Sequence, residues 1–291
     1  MDTFQSSDLR PVTTGMRWML LIASGLVFTV GIQLYILTEQ TERFFAWTIN
    51  PPLTAAFLGA GYWASFAMEF MASRKRLWAH ARIAVPAVLI FTTLTLIATL
   101  LHLDRFHLND PSFVTRVAAW VWLAVYAIVP PVMAVLLVLQ MRAPGYDPPR
   151  QAPLPRWIHL ILRLHAVVML PLGAALFLAP QATAPLWPWM LTPLTARAVG
   201  AWLLALGVAA AHSSRENDWQ RVHIATISYT VLGFFQLLAL ARYPQVVDWT
   251  MPAAWIYVIF LVSILLVGLY GWRQSARSSR VETIAAAPTT V

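Results

Sequence analysis

His102, Asp104, His107 and Asp110 stand close together in the chain. Imidazole nitrogens and carboxylate oxygens are donors that divalent cations accept, so His102, Asp104 and His107 are candidate metal ligands. Histidines five positions apart do not share a helical face as an i, i+4 pair does, so the segment must leave the helix for both to reach one ion. The plainer alternative is a hydrated loop in which Asp104 and Arg105 balance. A second set is scattered through otherwise apolar sequence: Glu69, Thr92, Thr95, Thr99, Arg163, His165 and Gln236. Ionisable groups at membrane depth are costly and mark ligand or ion sites by default. A mid-bilayer glutamine amide needs partners, whether helix, water or ligand. These seven are the candidate binding residues. Each also has a structural alternative: Arg74 can neutralise Glu69, Arg163 can snorkel to headgroups, and the threonines and glutamine can bond between helices.

The remaining chemistry narrows by elimination. His80, His159, His165, His212 and His223 gather toward one end of the apolar segments, which makes a bis-histidine haem site geometrically possible, although only His165 is well inside a span and loop or interface histidines are the plainer alternative. With no cysteine, thiolate zinc, iron-sulfur ligation, disulfides and cysteine nucleophiles are excluded. Lys75 is the only lysine and lies in a basic loop, which excludes retinal or pyridoxal Schiff bases. No phosphate-cradling glycine loop, zinc-protease helix motif or nucleophile elbow occurs. No catalytic residue and no cofactor is assigned.

The elements that must position these residues follow from composition. The 291 residues are 59% hydrophobic and 11% charged, against about 25% charged in an ordinary soluble domain. A bilayer core of about 30 Å needs about 20 apolar residues at about 1.5 Å rise, and eight runs approach that length. They are Trp18 to Leu37, Leu53 to Ala72, Ile83 to Leu101, Val117 to Met141, Ile158 to Leu178, Thr195 to Ala211, Val222 to Leu240 and Ala253 to Trp272. The sixth is the weakest. The runs are apolar all round and do not alternate, so helices satisfy their backbone amides. The expected fold is all-α: a polytopic membrane protein of eight transmembrane helices. The first run exceeds a signal-peptide core and reads as a retained span.

Of the 20 basic residues, 15 fall in connections on one side and five on the other: Arg43, Arg105, Arg116, Arg197 and Arg242. Positive charge marks the cytoplasmic side, so both termini are expected there, in the plasma membrane. The net charge of +8 thus reports topology and gives no case for nucleic acid. Most of the 14 tryptophans fall at predicted helix ends, where indole favours the headgroup level.

The chain also repeats itself. Pro52-Leu53-Thr54-Ala55 recurs as Pro193-Leu194-Thr195-Ala196, an offset of 141, and Gly59, Ala60, Trp78 and Ile83 meet Gly200, Ala201, Trp219 and Ile224 at that offset. Ala118 to Trp122 resembles Ala253 to Tyr257 at an offset of 135. Four is even, so two four-helix repeats share one orientation, related by an axis along the membrane normal. The expected units are a first repeat over 1–141, a Pro-rich linker over 142–156, a second repeat over 157–273 and a disordered tail over 274–291. Stripes Ala56, Ala60, Ala64 and Ala201, Ala205, Ala209 place the second and sixth helices in equivalent, close-packed positions. Pro130-Pro131 is expected to interrupt the fourth helix and Pro171 the fifth.

The expected function is binding or translocation of a small or lipidic molecule through a cavity between the two halves. Thr92, Thr95, Thr99 and Gln236 would line its middle and Glu69, Arg163 and His165 its basic mouth. The alternatives are a membrane-embedded metal or haem enzyme or redox subunit, and an assembly subunit whose apolar faces meet partner membrane proteins.

Overall fold

A computed structural model describes residues 9–285, with side chains through Ser278. Eight long helices carry it: α1 (Thr14–Tyr35), α2 (Pro52–Arg74), α3 (Ala84–Leu101), α4 (Phe113–Arg142), α5 (Arg156–Leu178), α6 (Pro193–Glu216), α7 (Trp219–Arg242) and α8 (Pro252–Ala285). Single helical turns lie in five of the seven connections, and among the described residues no strand forms beyond two isolated bridges, Leu9 with Tyr146 and Pro11 with Leu77. The recurrent Pro-Leu-Thr-Ala opens both α2 and α6, with proline in the first turn, where a missing N–H costs nothing. At α6, Thr192 and Thr195 add a reciprocal capping box.

Seven of these helices, all but α2, are long and apolar enough to cross a membrane. The exception is α2 and not the sixth run. Of its 23 residues 16 are buried, Glu69, Ser65 and Ser73 among them. A helix enclosed by other helices meets little lipid, so small and polar residues on it escape the cost they would carry on a lipid-facing surface.

The packing forms a two-by-four array. One row runs α1, α2, α7, α8; the other runs α4, α3, α6, α5. Within the rows α1 packs on α2, α7 on α8, α3 on α4 and α5 on α6, and the first four helices meet the last four chiefly through α2 on α7 and α3 on α6. The two alanine-striped helices, α2 and α6, touch only diagonally at the centre, where the Tyr62 and Trp202 rings lie 5.2 Å apart. Glycine sets two of these approaches. A Cβ on Gly59 would stand 2.7 Å from the Tyr35 backbone nitrogen, and one on Gly200 would stand 2.7 Å from the Gly173 carbonyl oxygen. Both are contacts of the second helix of a quartet with its first, at positions 141 apart.

Three features differ from expectation. α4 runs unbroken for 30 residues through Pro130-Pro131, and α5 runs through Pro171. Neighbouring helices supply partners for freed groups in such segments, which lets membrane helices carry proline without breaking. The chain also stays helical past Arg273 to Ala285, and 286–291 lie outside the described residues. Residues 143–155 are non-helical, as their prolines require.

Candidate functional site

Each quartet holds a cavity at the end opposite the arginine-rich one, and five wall residues of one pair with five of the other at the sequence offsets. In the last four helices a cavity of about 240 Å³ is walled by Leu203, Leu232, Gln236 and Tyr257, with Phe57 reaching in from α2. That is space for about eight waters at 30 Å³ each. In the first four, Tyr62, Phe91, Thr95 and Trp122, with Ala198 from α6, surround only about 10 Å³. At offsets of 141 and 135 these are the same positions: Tyr62 stands for Leu203, Phe91 for Leu232, Thr95 for Gln236, Trp122 for Tyr257 and Ala198 for Phe57. Aromatic bulk fills the first space. The Phe91 and Trp202 rings lie 4.0 Å apart, Trp122 and Tyr126 lie 4.4 Å apart, and the Tyr62 and Tyr126 hydroxyls share a hydrogen bond at 2.6 Å.

The open cavity has one polar corner. The Gln236 Nε2 donates to the Phe57 carbonyl at 3.0 Å, and its Oε1 accepts from the Tyr257 hydroxyl at 3.1 Å. These bonds consume one of the two amide hydrogens and one oxygen lone pair. Trp187, another wall residue, has a buried Nε1 with no partner among the described residues. Its ring stands 5.6 Å from that of Tyr257. Val168 and Ile256 line the cavity and are 39% and 64% exposed, so it borders the lipid-facing surface between α5 and α8. Those two helices do not pack along their lengths. His165 bridges them toward the arginine-rich end through Ser263 Oγ at 2.8 Å, and the Trp157 and Tyr270 rings meet at 4.9 Å.

The candidate residues thus separate. Gln236 lines the open cavity, and His165 lies at its base, its ring 4.9 Å from wall residue Phe260 and its Nδ1 unpartnered. Thr95 and Thr99 belong to the filled space: Thr99 Oγ1 accepts from Trp122 Nε1 at 3.0 Å, while Thr95 Oγ1 has no partner. Thr92 donates back to the Val88 carbonyl at 2.8 Å, a bond within its own helix. Glu69 is fully buried, accepts from Ser65 Oγ at 2.6 Å, and leaves Oε2 unpartnered. Arg163 is exposed and reaches Ser214 Oγ at 3.4 Å. The seam expected to hold the site, between the two quartets, retains only about 40 Å³, little more than one water's share.

The metal candidates are not brought together. His102 Nε2 meets Arg197 Nη1 at 2.6 Å, His107 binds Thr48 Oγ1 and the Phe45 carbonyl, each at 3.1 Å, and Asp104 pairs with Arg105 at 3.0 Å. Among the described residues no group of three or more His, Cys, Asp or Glu side chains could hold an ion. Burial and the adjacent Arg197 hold the His102 imidazole below its usual pKa. A neutral ring accepting from a guanidinium is the arrangement that follows.

One constellation escaped sequence reasoning. At the arginine-rich end Glu216 receives Arg82 Nε at 2.5 Å, Arg221 Nη1 at 3.0 Å and His212 Nε2 at 3.1 Å, and Arg82 also meets Asp147 at 2.5 Å. The signal was the offset itself: 141 positions earlier stand Lys75 for Glu216 and Arg82 for His223. Lys75 Nζ and His223 Nδ1 lie 3.4 Å apart, the same pairing in a different chemistry. Burial lowers the Lys75 pKa.

No family model, curated protein or solved structure matches this chain.

Proposed function

We propose that the protein is an integral membrane binder of an apolar small molecule, taken from the lipid phase into the cavity of the last four helices. The observation that carries this reading is the 240 Å³ cavity at a place where the first quartet is packed solid. Cavities of this size in a close-packed interior lose contacts on every wall, so an unoccupied one is a standing cost. The wall is apolar apart from Gln236, Tyr257, Trp187 and Thr183. The spare amide hydrogen and the free indole N–H suit a ligand with an apolar body and one hydrogen-bond acceptor, such as a carbonyl. His165 and Ser263 hold α5 and α8 together at the cavity base and position its wall. Translocation along the seam between the quartets has less support, because that seam is nearly closed.

The reading includes eight crossings, with α2 as the enclosed eighth, and descent of the two quartets from one duplicated four-helix unit. The supports are the paired cavities, the paired glycine approaches and matching loop bonds. Trp78 N–H donates to the Arg10 carbonyl at 3.0 Å, and Trp219 N–H donates to the Ala152 carbonyl at 2.8 Å. On this reading an even number of crossings puts both termini on one side, and the arginine excess there supports the cytoplasmic side of the plasma membrane.

The test exchanges residues between the two cavities. Protein purified in mild detergent is extracted and its small molecules are identified by mass spectrometry, alongside a Leu203→Tyr/Leu232→Phe variant that installs the first quartet's side chains. Wild type should carry an apolar compound in defined stoichiometry and the variant should carry none. Equal loading of both proteins removes the proposal.

A further inference from the structure

We infer a second, independent site: a groove for one anionic phospholipid at the arginine-rich end, between α4 and α6 and across the start of α3. The groove measures about 720 Å³. Its floor is apolar, formed by Pro86, Leu137, Met141, Val208 and Ala211, and its rim carries Arg10, Arg82, Arg150 and Arg215 against one carboxylate, Glu216.

Arg82 is neutralised by two carboxylates, whereas the charges of Arg10, Arg150 and Arg215 are not neutralised internally. Glu216 is already shared by Arg82 and Arg221, and Asp147 is held by Arg82. Arg10 and Arg150 are fixed by carbonyls alone: Arg10 Nε donates to Gly145 at 3.2 Å, and Arg150 donates to the Glu216 carbonyl at 2.7 Å and the Arg215 carbonyl at 3.3 Å. Carbonyls orient a guanidinium and leave its charge in place. The Arg215 side chain is exposed and makes no hydrogen bond or ion pair among the described residues. Pre-oriented guanidinia are the preferred receptors of a phosphate oxygen pair.

The floor identifies the source of that phosphate. A free anion would occupy the rim and leave the apolar floor to water, whereas a phospholipid places its phosphodiester on the arginines and its chains along Leu137, Met141 and Val208. Met141 is 56% exposed, so the groove is open to the lipid side. Basic pockets between helices at a membrane surface act in this way, with each nearby arginine contributing about five-fold in affinity. At positions 141 and 135 away, Phe70 replaces Ala211 and Trp272 replaces Leu137. These larger side chains occupy the corresponding surface of the other quartet.

The experiment titrates the full-length, detergent-solubilised protein with phosphatidylglycerol, phosphatidylcholine or inorganic phosphate and counts retained lipid by native mass spectrometry. One phosphatidylglycerol should be retained well above phosphatidylcholine and should resist millimolar inorganic phosphate. Arg215→Gln should weaken retention about five-fold. Ala211→Phe should abolish it while the thermal midpoint of the lipid-free protein stays unchanged, separating a blocked groove from a misfolded chain. Equal retention of phosphatidylcholine, or an unaffected Arg215→Gln variant, overturns the site. Displacement by inorganic phosphate reduces it to an anion subsite and overturns the lipid.

Discussion

In the first quartet Tyr62, Phe91, Trp122 and Tyr126 close a space that in the second, walled by Leu203, Leu232 and Tyr257, stays open. Around the two, the α1–α2 and α5–α6 pairs are alike, each approaching through a glycine at corresponding positions, whereas α7 packs on α8 much more extensively than α3 on α4, through Gly233, Gly268 and Gly271. The contrast lies in side-chain volume and in how closely the third and fourth helices of each quartet pack. At the opposite end the asymmetry is one of charge: Glu216 gathers three side chains, Arg82, His212 and Arg221, where Lys75 meets a single imidazole. The first quartet's interior is packed and the second has kept room, which is why the proposed ligand is assigned to the second.

The comparison can be broken first at the charged end. Glu216 is 5% exposed, and Glu216→Gln strands the buried Arg221 and leaves Arg82 with Asp147 alone, with an expected loss of about 3 kcal/mol. Lys75→Met, which deletes the corresponding cation, should cost less than about 1 kcal/mol because no carboxylate is left unpaired. Chemical unfolding in detergent reads both, and equal losses would mean that the two contacts are energetically equivalent. Next come the glycines. Gly59→Ala and Gly200→Ala each press a methyl onto backbone and should cost about 1–3 kcal/mol apiece. A large cost at one position only would show that the two helix pairs are not built alike.

Filling the cavity is expected to act the other way. Leu203→Tyr/Leu232→Phe should leave the ligand-free protein within about 2 kcal/mol of wild type on the stabilising side, measured by the thermal midpoint. A marked loss would indicate that the second cavity lacks the shape to accept the first one's rings. The smallest effect concerns His102. Its folded pKa is depressed by burial and Arg197, so its contribution is present above the unfolded value of about 6.5 and is lost as pH falls below it. His102→Gln, which keeps an acceptor for Arg197, should flatten the decline in thermal midpoint between pH 7 and pH 5. An unchanged slope would assign that decline elsewhere.

Gln236 was legible because an amide in an apolar run must find partners, and it does so across two helices. His165 was legible for the same reason. Glu216 was not: in Ser213 to Arg221 it reads as part of a hydrated turn, and its partners Arg82 and Asp147 lie far away in the chain. Trp187 was read as an interface anchor, since nothing in one sequence separates a belt tryptophan from a cavity wall. The apparent metal cluster illustrates the opposite error. Proximity in the chain placed His102 and His107 together, while helix ends turned them toward Arg197 and Thr48.

By itself the sequence determined the membrane class and the approximate extent of the helices. Both follow from rise per residue and the cost of exposing peptide groups to hydrocarbon, which are properties of single segments. Which cavity stays open, and which arginines are spoken for, only the tertiary structure decided. Volume and charge balance are sums over side chains from four or more helices, and such a sum has no value until those helices are placed.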